Sequence, residues 1–383
     1  MPNFHQALGI IISFATLFYL ALYLLDPLRS SLGYAPRRHI QHSTRIVAVG
    51  DLHGDIGNAQ KVLEMARVVD SDGMWSGEVD VFVQTGDIID RGDDTIKLFG
   101  WMEDLRSQAQ RAGGQMLSHL GNHEWMNAIG DWRYVYESEV KTFGGITARQ
   151  AMISTGRIGR AWAANYTTAS RLPLHPILGA PNEDFPPRAR SAAGRLPTPL
   201  SHAAYSFVHG GLSPNYTRLS PFPSAINAIG RSLLRKLQHR VQPRPHPPHP
   251  YPGLPSRATP EEHTFYGSGG PLWYRGWALD DKEKVCREVD SVLEKTGTRR
   301  MIMGHTPDFE EIVSRCNGKI IIIDTGISHA YGGALSALSV EYTLKDVRSS
   351  SSYKWREKEV VKAVYVNRTV VLVDEERDIF GDI

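Results

Sequence analysis

Short apolar runs alternate with segments of helical spacing along the first third of the chain. Arg45–Val49, Val79–Gln84 and Gln115–Leu120 have the length and composition of strands, whereas Asn58–Val69 and Thr95–Gln110 place apolar residues at helical spacing. Each of the three runs ends in glycine beside acidic, amide or imidazole side chains. This order predicts an α/β sheet with a functional site at the ends of its strands.

Two predicted insertions interrupt the alternation. Tyr134–Pro199 is mostly helical up to Ser170 and then irregular and proline-rich, which is typical of an inserted cap. Pro221–Pro260 contains the helical segment SAINAIGRSLLRKLQ and then VQPRPHPPHPYPGLP, which is too rich in proline for a regular element. We expect a solvated loop there, with His246 and His249 exposed rather than bound to metal.

From Arg299 onward, the runs of strand length return. They are RRMIMGH, GKIIIIDTGIS, SALSVEY, VKAVYV and TVVLV. We therefore expect one large domain over residues 45–375, which includes both insertions.

The N-terminal segment carries an uncharged apolar run, Ala7–Leu25, of about nineteen residues. This is close to the ~20 residues that a helix needs to cross a bilayer. No Lys or Arg precedes the run and no small-x-small cleavage site follows it. We therefore expect a retained transmembrane helix in residues 1–30 as a single-pass anchor, and a stem in residues 31–44.

The side of the membrane stays open. Arg29, Arg37 and Arg38 follow the run, and the positive-inside rule would then place the large domain in the cytosol. Three Asn-x-Thr glycosylation acceptors favour the opposite side. These triplets begin at Asn165, Asn215 and Asn367.

The charge balance narrows the class of partner. The 383 residues have a formal net charge of +2, with 22 % charged residues. This predicts no surface that wraps a polyanion, and argues against nucleic acid as a partner. The hydrophobic content of 41 % fits a globular protein of enzyme size.

Five strand-end clusters share one set of ligand types. They are Gly50-Asp51-Leu52-His53-Gly54, Gly86-Asp87-Ile88-Ile89-Asp90-Arg91-Gly92, Gly121-Asn122-His123-Glu124, His209-Gly210-Gly211 and Gly304-His305. Carboxylate, imidazole and amide oxygen without thiolate suit divalent ions such as Mn²⁺, Fe²⁺ and Zn²⁺. Five such clusters in series predict a metal site.

The motifs GDLHG, GDIIDRG, GNHE, HGG and GH, in this order, resemble the phosphoprotein phosphatase branch of the calcineurin-like metallophosphoesterases. The resemblance covers about Ile46 to Ser339, apart from the insertions. Within that branch, GDLHGD, GNHEWMN, PLWYRG and DTGISHAYGG are most similar to the Shewanella-like protein phosphatases. This resemblance implies a four-layer αββα sandwich, two divalent metal ions (Mn, Fe or Zn) and phosphomonoester hydrolysis by a metal-bridging hydroxide.

The resemblance assigns metal ligands by position. Asp51 and His53 would hold one ion, and Asp87 would bridge both. The further ligands of the second ion would be Asn122, His209 and His305.

The same motifs imply four catalytic residues. Arg91 and Arg275 would bind the phosphate oxygens, because a guanidinium fork matches phosphate geometry. His123 would protonate the leaving oxygen, with Asp90 orienting the imidazole through its other nitrogen.

Five further residues near the motifs receive weaker assignments. We expect Asp55 and Glu124 to support loops rather than to touch metal. Tyr331, Trp273 and Tyr274 either line the pocket or pack in the core.

The chain has two cysteines, Cys286 and Cys316, near neighbouring predicted strands. In a cytosolic protein they would be two unrelated thiols. Shewanella-like phosphatases often have cysteines near these places, so the resemblance leaves a disulfide open. A disulfide would favour an oxidising compartment.

The expected function is that of a membrane-tethered, dinuclear-metal phosphomonoesterase. The subgroup's preference implies phosphotyrosine-containing proteins or peptides as substrates. One alternative is a symmetrical diadenosine tetraphosphatase, which would need a nucleotide-stacking pocket. Another is a catalytically silent membrane scaffold, against which the complete ligand set argues.

Overall fold

The computed structural model describes residues 41–186, 200, 202–347 and 354–380. The predicted anchor in residues 1–30 lies outside this part, as do most of the stem and the proline-rich segment 187–199. Among the described residues, no helix is both long and apolar enough to cross a membrane.

The described residues form twelve strands and ten α-helices. The strands are β1 (Gln41–Val49), β2 (Val81–Gln84), β3 (Gln115–His119), β4 (Tyr166–Thr167), β5 (Ala169–Pro173), β6 (Ala204–Val208), β7 (Arg300–Met303), β8 (Val313–Arg315), β9 (Ile320–Ile322), β10 (Ser336–Asp346), β11 (Lys354–Tyr365) and β12 (Thr369–Phe380). The helices are α1 (Ile56–Met65), α2 (Thr95–Arg111), α3 (Asn122–Ile129), α4 (Glu137–Thr142), α5 (Ile146–Ser154), α6 (Arg157–Asn165), α7 (Ser224–Gln238), α8 (Pro260–Tyr266), α9 (Gly276–Leu279) and α10 (Lys282–Thr296).

The strands form two sheets. Seven follow the order β12-β11-β10-β1-β2-β3-β4, and five follow the order β5-β6-β7-β9-β8. Strands β1 to β4 are parallel, and so are β6, β7 and β9. Because the carboxyl ends of parallel strands share an edge, the loops after β1, β2 and β3 lie together, and so do those after β6, β7 and β9.

The strand residues alternate between two hydrophobic cores. Ile46 and Ala48 of β1 belong to the same core as Phe207 of β6, so this core lies between the sheets. Val47 and Val49 belong to a second core that includes residues of α1 and α2. Side chains that alternate along a strand thus pack against the other sheet on one face and helices on the other, which confirms the predicted two-sheet α/β fold.

The predicted helical cap is confirmed over its first part and wrong over its last. Helices α4, α5 and α6 follow one another, but Tyr166–Thr167 and Ala169–Pro173 are strands. Strand β4 pairs with β3 in one sheet, and β5 pairs with β6 in the other. Tyr166, Ala169 and Leu172 are buried, and this packing outweighs the local helical pattern.

The proline-rich loop after α7 is bonded to the body of the domain rather than solvated throughout. The backbone N–H of His246 donates to the carbonyl oxygen of Gly130 at 2.8 Å, and that of Trp132 donates to the carbonyl oxygen of His246 at 2.6 Å. The His246 ring donates through Nδ1 to the carbonyl oxygen of His249 at 2.8 Å. The loop is therefore held to the segment that directly follows α3.

Cys286 and Cys316 form a disulfide, with their Cα atoms 5.3 Å apart. The bond joins α10 to the turn between β8 and β9. A covalent link of this kind stabilises the fold by restricting the unfolded chain. The alternative of two unrelated thiols is therefore wrong.

A buried group of charges joins the two sheets near the start of β7. Glu359 of β11 accepts hydrogen bonds from Arg299 and Arg300 at 2.6 Å each, from Arg377 at 3.2 Å, and from the Tyr205 hydroxyl. Burial raises the pKa of Glu359, but Arg300 and Arg299 outweigh it and bring the pKa down to about 2. Its charged form therefore stabilises the folded state at neutral pH.

Replacing Glu359 by Gln should lower the free energy of unfolding by about 3 kcal/mol, because buried arginines then lose part of their compensating charge. Glu376→Gln is the matched control on β12, at a half-exposed pair with Arg356, and should cost less than about 0.5 kcal/mol. Urea titrations measure both changes.

The depressed pKa of Glu359 gives a second test, based on pH. The pKa of Glu359 is depressed on folding, so its contribution is complete above about 4.5 and is lost as the pH falls toward about 2. The stability difference between the wild type and Glu359→Gln should shrink in that window. A difference that stays constant there would contradict this explanation.

Candidate metal centre

Loops from both sheets bring buried polar residues together at the strand ends. The loops after β1, β2, β3, β6, β7 and β9 supply, in that order, Asp51, Asp87, Asn122, His209, His305 and Asp324, all of them buried. The first five are predicted ligands, and the sixth is not.

Asp87 lies at the centre of this group. Its Oδ2 is 3.2 Å from His209 Nε2, 3.8 Å from His123 Nε2 and 3.9 Å from His53 Nε2. Two sets of ligand atoms, each within 4.8 Å of one another, both contain it: His53, Asp87 and His123, and Asp87, His209 and His305. This position fits the predicted bridging ligand. Asp51 Oδ2 lies 3.9 Å from His53 Nε2, beside the first set.

Backbone hydrogen bonds orient two of the imidazoles. His53 donates through Nδ1 to the carbonyl oxygen of Ile89, and His209 donates through Nδ1 to that of Thr85, both at 3.0 Å. A carbonyl oxygen only accepts, so Nδ1 carries a proton in each ring and Nε2 is the atom on the side of Asp87. His209 Nε2 lies 2.8 Å from Asn122 Oδ1. An imidazole nitrogen and an amide oxygen this close together can both reach one metal ion.

His305 adds a further acceptor. Its Nε2 is buried and has no hydrogen-bond partner in the described part of the chain, and its ring centroid lies 5.0 Å from that of His209. Carboxylate, amide oxygen and imidazole nitrogen around one point form a donor set for Mn²⁺, Fe²⁺ or Zn²⁺. The residues therefore fit a divalent metal centre.

Asp324 is a residue of this centre that sequence reasoning missed. Its carboxyl lies beside that of Asp51, and its Oδ1 accepts from the backbone N–H of Gly326 at 3.0 Å. Burial raises the pKa of Asp324 to about 6. Burial, Asp324 and Asp87 raise the pKa of Asp51 well above its ordinary value. The signal in the sequence is the apolar run that ends in Asp-Thr-Gly, which has the same form as the other clusters.

The histidines differ in their electrostatics. Burial and the neighbouring His123 lower the pKa of His53 to about 3, and burial and His209 lower the pKa of His305 well below its ordinary value. Both rings are therefore neutral, as a metal ligand must be. For His123, burial lowers the pKa, but Asp87 and Asp90 outweigh it and raise the pKa overall. Its carboxylate neighbours thus favour the protonated form of His123, whereas burial favours the neutral form of His53 and His305.

Several site residues have strained backbones. His53, Asp87, Asp90, Arg91 and His305 all have φ between 43° and 71°. Residues other than glycine seldom adopt this region, and such strain concentrates at functional sites.

Asp90 holds His123 as predicted. Its Oδ2 accepts from His123 Nδ1 at 2.7 Å, which leaves His123 Nε2 on the side of Asp87. The other oxygen accepts from Asn127 Nδ2 at 2.8 Å. Asn127 lies one helical turn after His123 on α3, so the helix presents both side chains to the same carboxylate.

The inserted cap supports this pair through Arg149 of α5, which sequence reasoning also missed. Arg149 is fully buried and donates to Asn127 Oδ1 at 2.6 Å and to Glu139 Oε1 at 3.1 Å. Its Nη2 lies 3.5 Å from Asp90 Oδ1. The cap is therefore connected to the residue that orients His123.

Arg91 lies between two tyrosine rings. Its guanidinium carbon is 4.2 Å from the ring centroid of Tyr134 and 4.9 Å from that of Tyr331. Tyr134 also packs against His123 and Tyr331 against His53, with centroids 5.0 and 5.4 Å apart. The pocket-wall alternative for Tyr331 therefore agrees with its position.

Arg275 lies beside His305. Its Nη1 donates to the carbonyl oxygen of His305 at 2.7 Å and to Thr306 Oγ1 at 3.1 Å. The Trp273 ring meets the His305 ring edge-on, with centroids 5.6 Å apart. By contrast, Tyr274 packs against Trp277 in the hydrophobic core.

Asp55 and Glu124 support loops, as predicted. Asp55 Oδ1 caps α1 by accepting from the backbone N–H of Asn58 at 3.0 Å. The Glu124 carboxylate accepts from the backbone N–H groups of Gly121, Asp87 and Ile88 at 2.7 to 2.9 Å. It therefore fixes the loop that presents Asp87.

Comparisons with known proteins agree with this centre. The calcineurin-like phosphoesterase family model matches residues 44–309. An uncharacterized protein of Schizosaccharomyces pombe is 32 % identical over 338 residues, which are 87 % of this chain and 84 % of the relative. Shewanella-like protein phosphatase 2 of Arabidopsis thaliana is 29 % identical over 316 residues, with 74 % and 71 % covered.

Among solved structures, a cold-active protein-tyrosine phosphatase of a psychrophilic Shewanella species superposes with a TM-score of 0.59. The match covers 86 % of this chain and 80 % of that chain at 21 % identity, which supports the fold alone. The family model spans more than half of the chain, and the relatives of the chain include proteins named as phosphatases. The chain therefore belongs to the calcineurin-like phosphoesterase family and is a metal-dependent phosphatase homologous to the Shewanella-like protein phosphatases.

Proposed function

We propose that this phosphatase hydrolyses phosphoproteins at a dinuclear metal centre, with a preference for phosphotyrosine. The observation that carries the proposal is the position of Asp87. Its Oδ2 lies within 3.9 Å of Nε2 of His53, His123 and His209. His123 is in turn bonded to Asp90, which precedes Arg91 in the chain.

The metal ligands in this proposal surround Asp87, which both groups of ligand atoms contain, and they do not include His123. Asp51, His53 and Asp87 would hold one ion, while Asp87, Asn122, His209 and His305 would hold the other. Two divalent ions bound there would acidify a water molecule and withdraw charge from the phosphate oxygens.

The chain's own residues complete the reaction. The guanidinium groups of Arg91 and Arg275 bind phosphate oxygens. His123 gives the proton on Nε2 to the leaving oxygen, because Asp90 accepts from Nδ1 and stabilises the protonated ring. Asp90 thus orients the ring and does not itself transfer the proton.

Aromatic rings around the centre favour an aryl phosphate. Tyr134, Tyr331 and Trp273 pack against His123, His53 and His305. Such a rim offers stacking and edge contacts to the phenyl ring of phosphotyrosine. The proteins named as tyrosine phosphatases among the similar structures have the same fold. Attachment to a membrane through Ala7–Leu25 remains part of the proposal on sequence alone.

Metal dependence is the first expectation. Treatment with a chelator should abolish turnover of an aryl phosphate and remove bound metal in elemental analysis, and added Mn²⁺ should restore both. Full activity in a protein with no bound metal would contradict the proposal. A protein that keeps its metal without activity would instead support the silent scaffold.

His123→Asn separates a general acid from a metal ligand. We expect turnover of substrates with poor leaving groups to fall by about 10²-fold or more, the usual contribution of general acid catalysis. Substrates with good leaving groups should be affected less, and metal content should stay near normal. Loss of metal in parallel with activity would show that His123 is a ligand.

Arg149→Met combined with Glu139→Gln removes the support of Asp90 without leaving a buried unpaired charge. We expect kcat to fall by about tenfold, or ~1.4 kcal/mol, with little change in KM or metal content, because His123 is less well oriented. Glu139→Gln alone serves as the control. Equal kcat in the double variant and this control would show that the cap does not act through Asp90.

Substrate class is tested with matched peptides on the chain lacking residues 1–30. Phosphotyrosine peptides should be hydrolysed at least about tenfold faster, by kcat/KM, than phosphoserine or phosphothreonine peptides, a difference of ~1.4 kcal/mol. Tyr134→Leu should reduce that ratio, while Tyr134→Phe keeps the ring and should preserve it. Equal phosphoserine turnover would remove the tyrosine preference, and preferred cleavage of diadenosine tetraphosphate would remove the protein phosphatase proposal.

A further inference from the structure

Two of the three Asn-x-Thr triplets lie in exposed turns. Asn215 and Thr217 are exposed in the loop that follows the His209 motif. Asn367 is exposed in the turn between β11 and β12, and Thr369 is the exposed first residue of β12. Within the described part of the chain, no hydrogen bond engages the side-chain amide of Asn215 or Asn367. Asn215 and Asn367 can therefore each carry a glycan without breaking a side-chain hydrogen bond.

The third triplet is part of the packed fold. Asn165 ends α6 and donates through Nδ2 to Glu103 Oε2. Tyr166 is buried, and Thr167 pairs with His119 across β4 and β3. A glycan on Asn165 would break these contacts, so this triplet serves as an internal comparison.

The surface around Asn367 has a second unusual feature. Val366 is 62 % exposed and Val371 is 56 % exposed, and Val370 is exposed as well. These valines surround the tip of the β11–β12 hairpin, and β12 is the edge strand of the larger sheet. Exposed apolar residues on an edge strand promote association with other chains, and a glycan at the turn would shield them.

The disulfide between Cys286 and Cys316 points to the same environment, since such bonds persist in oxidising compartments, of which the lumen of the secretory pathway is one. We propose that Asn367 and Asn215 are N-glycosylated and that Asn165 is not, with the phosphatase domain on the lumenal or extracellular side. The run Ala7–Leu25 has the length and hydropathy to direct such a chain to a membrane.

This placement opposes the positive-inside rule, by which Arg29, Arg37 and Arg38 favour a cytosolic domain. The two alternatives differ in the proteins that the enzyme meets. On the lumenal side, its substrates are phosphoproteins that share the secretory pathway with it.

The test uses the full chain produced in yeast and treated with peptide N-glycosidase. We expect an electrophoretic shift in two steps, one of which is lost in Asn215→Gln and the other in Asn367→Gln. Asn165→Gln should keep the whole shift. Thr369→Ala should match Asn367→Gln, while Thr369→Ser keeps an acceptor triplet and should keep the glycan.

A second readout concerns the exposed valines. Asn367→Gln should associate at lower protein concentration than Asn215→Gln in size-exclusion chromatography.

A full chain that shows no electrophoretic shift would overturn the proposal, and a disulfide found intact in that chain would place it in an oxidising compartment without glycosylation. A shift lost in Asn165→Gln, or retained in both other variants, would overturn the assignment of sites.

Discussion

The centre depends on one buried carboxylate. Asp87 lies at the end of β2, yet its Oδ2 is within 3.9 Å of imidazole nitrogens from three other loops, one of which follows a strand of the second sheet. Burial alone raises the pKa of Asp87, but the neighbouring His209 and His123 outweigh it and bring the pKa well below its ordinary value. The Asp87 carboxylate is therefore held in its charged form, which is the form that binds a metal ion. The two sheets thus bring together a donor set that a divalent ion satisfies.

Much of the centre could be predicted because each ligand follows an apolar strand. Parallel strands place their carboxyl ends at one edge, so the order of the motifs Gly-Asp, Gly-Asn-His and Gly-His already implies proximity. Asp324 follows the same rule, because it comes directly after the apolar run Ile320–Ile323. It was missed because it belongs to none of the motifs that assigned the metal ligands. Its place beside Asp51 depends on how β9 lies against β7, which only the sheet pairing determines.

Other parts could not be predicted from local pattern. Asn127 and Arg149 act through contacts with Asp90 that join α3 to the inserted cap, and nothing in either segment marks that contact. The strands Tyr166–Thr167 and Ala169–Pro173 each take an edge position, β4 beside β3 and β5 beside β6. The buried charges around Glu359 likewise join the start of β7 to the β11–β12 hairpin, more than fifty residues later in the chain. In each case tertiary packing, rather than propensity, decides the outcome.

The most direct test of the central claim is anomalous X-ray diffraction from crystals of the protein loaded with Mn²⁺. Two anomalous peaks about 3.5–4 Å apart are expected, as in other two-metal sites, with Asp87 between them. One peak should contact Asp51 and His53, and the other Asn122, His209 and His305. A single peak, or an ion bound by His123 Nε2, would contradict the dinuclear centre proposed for this phosphatase.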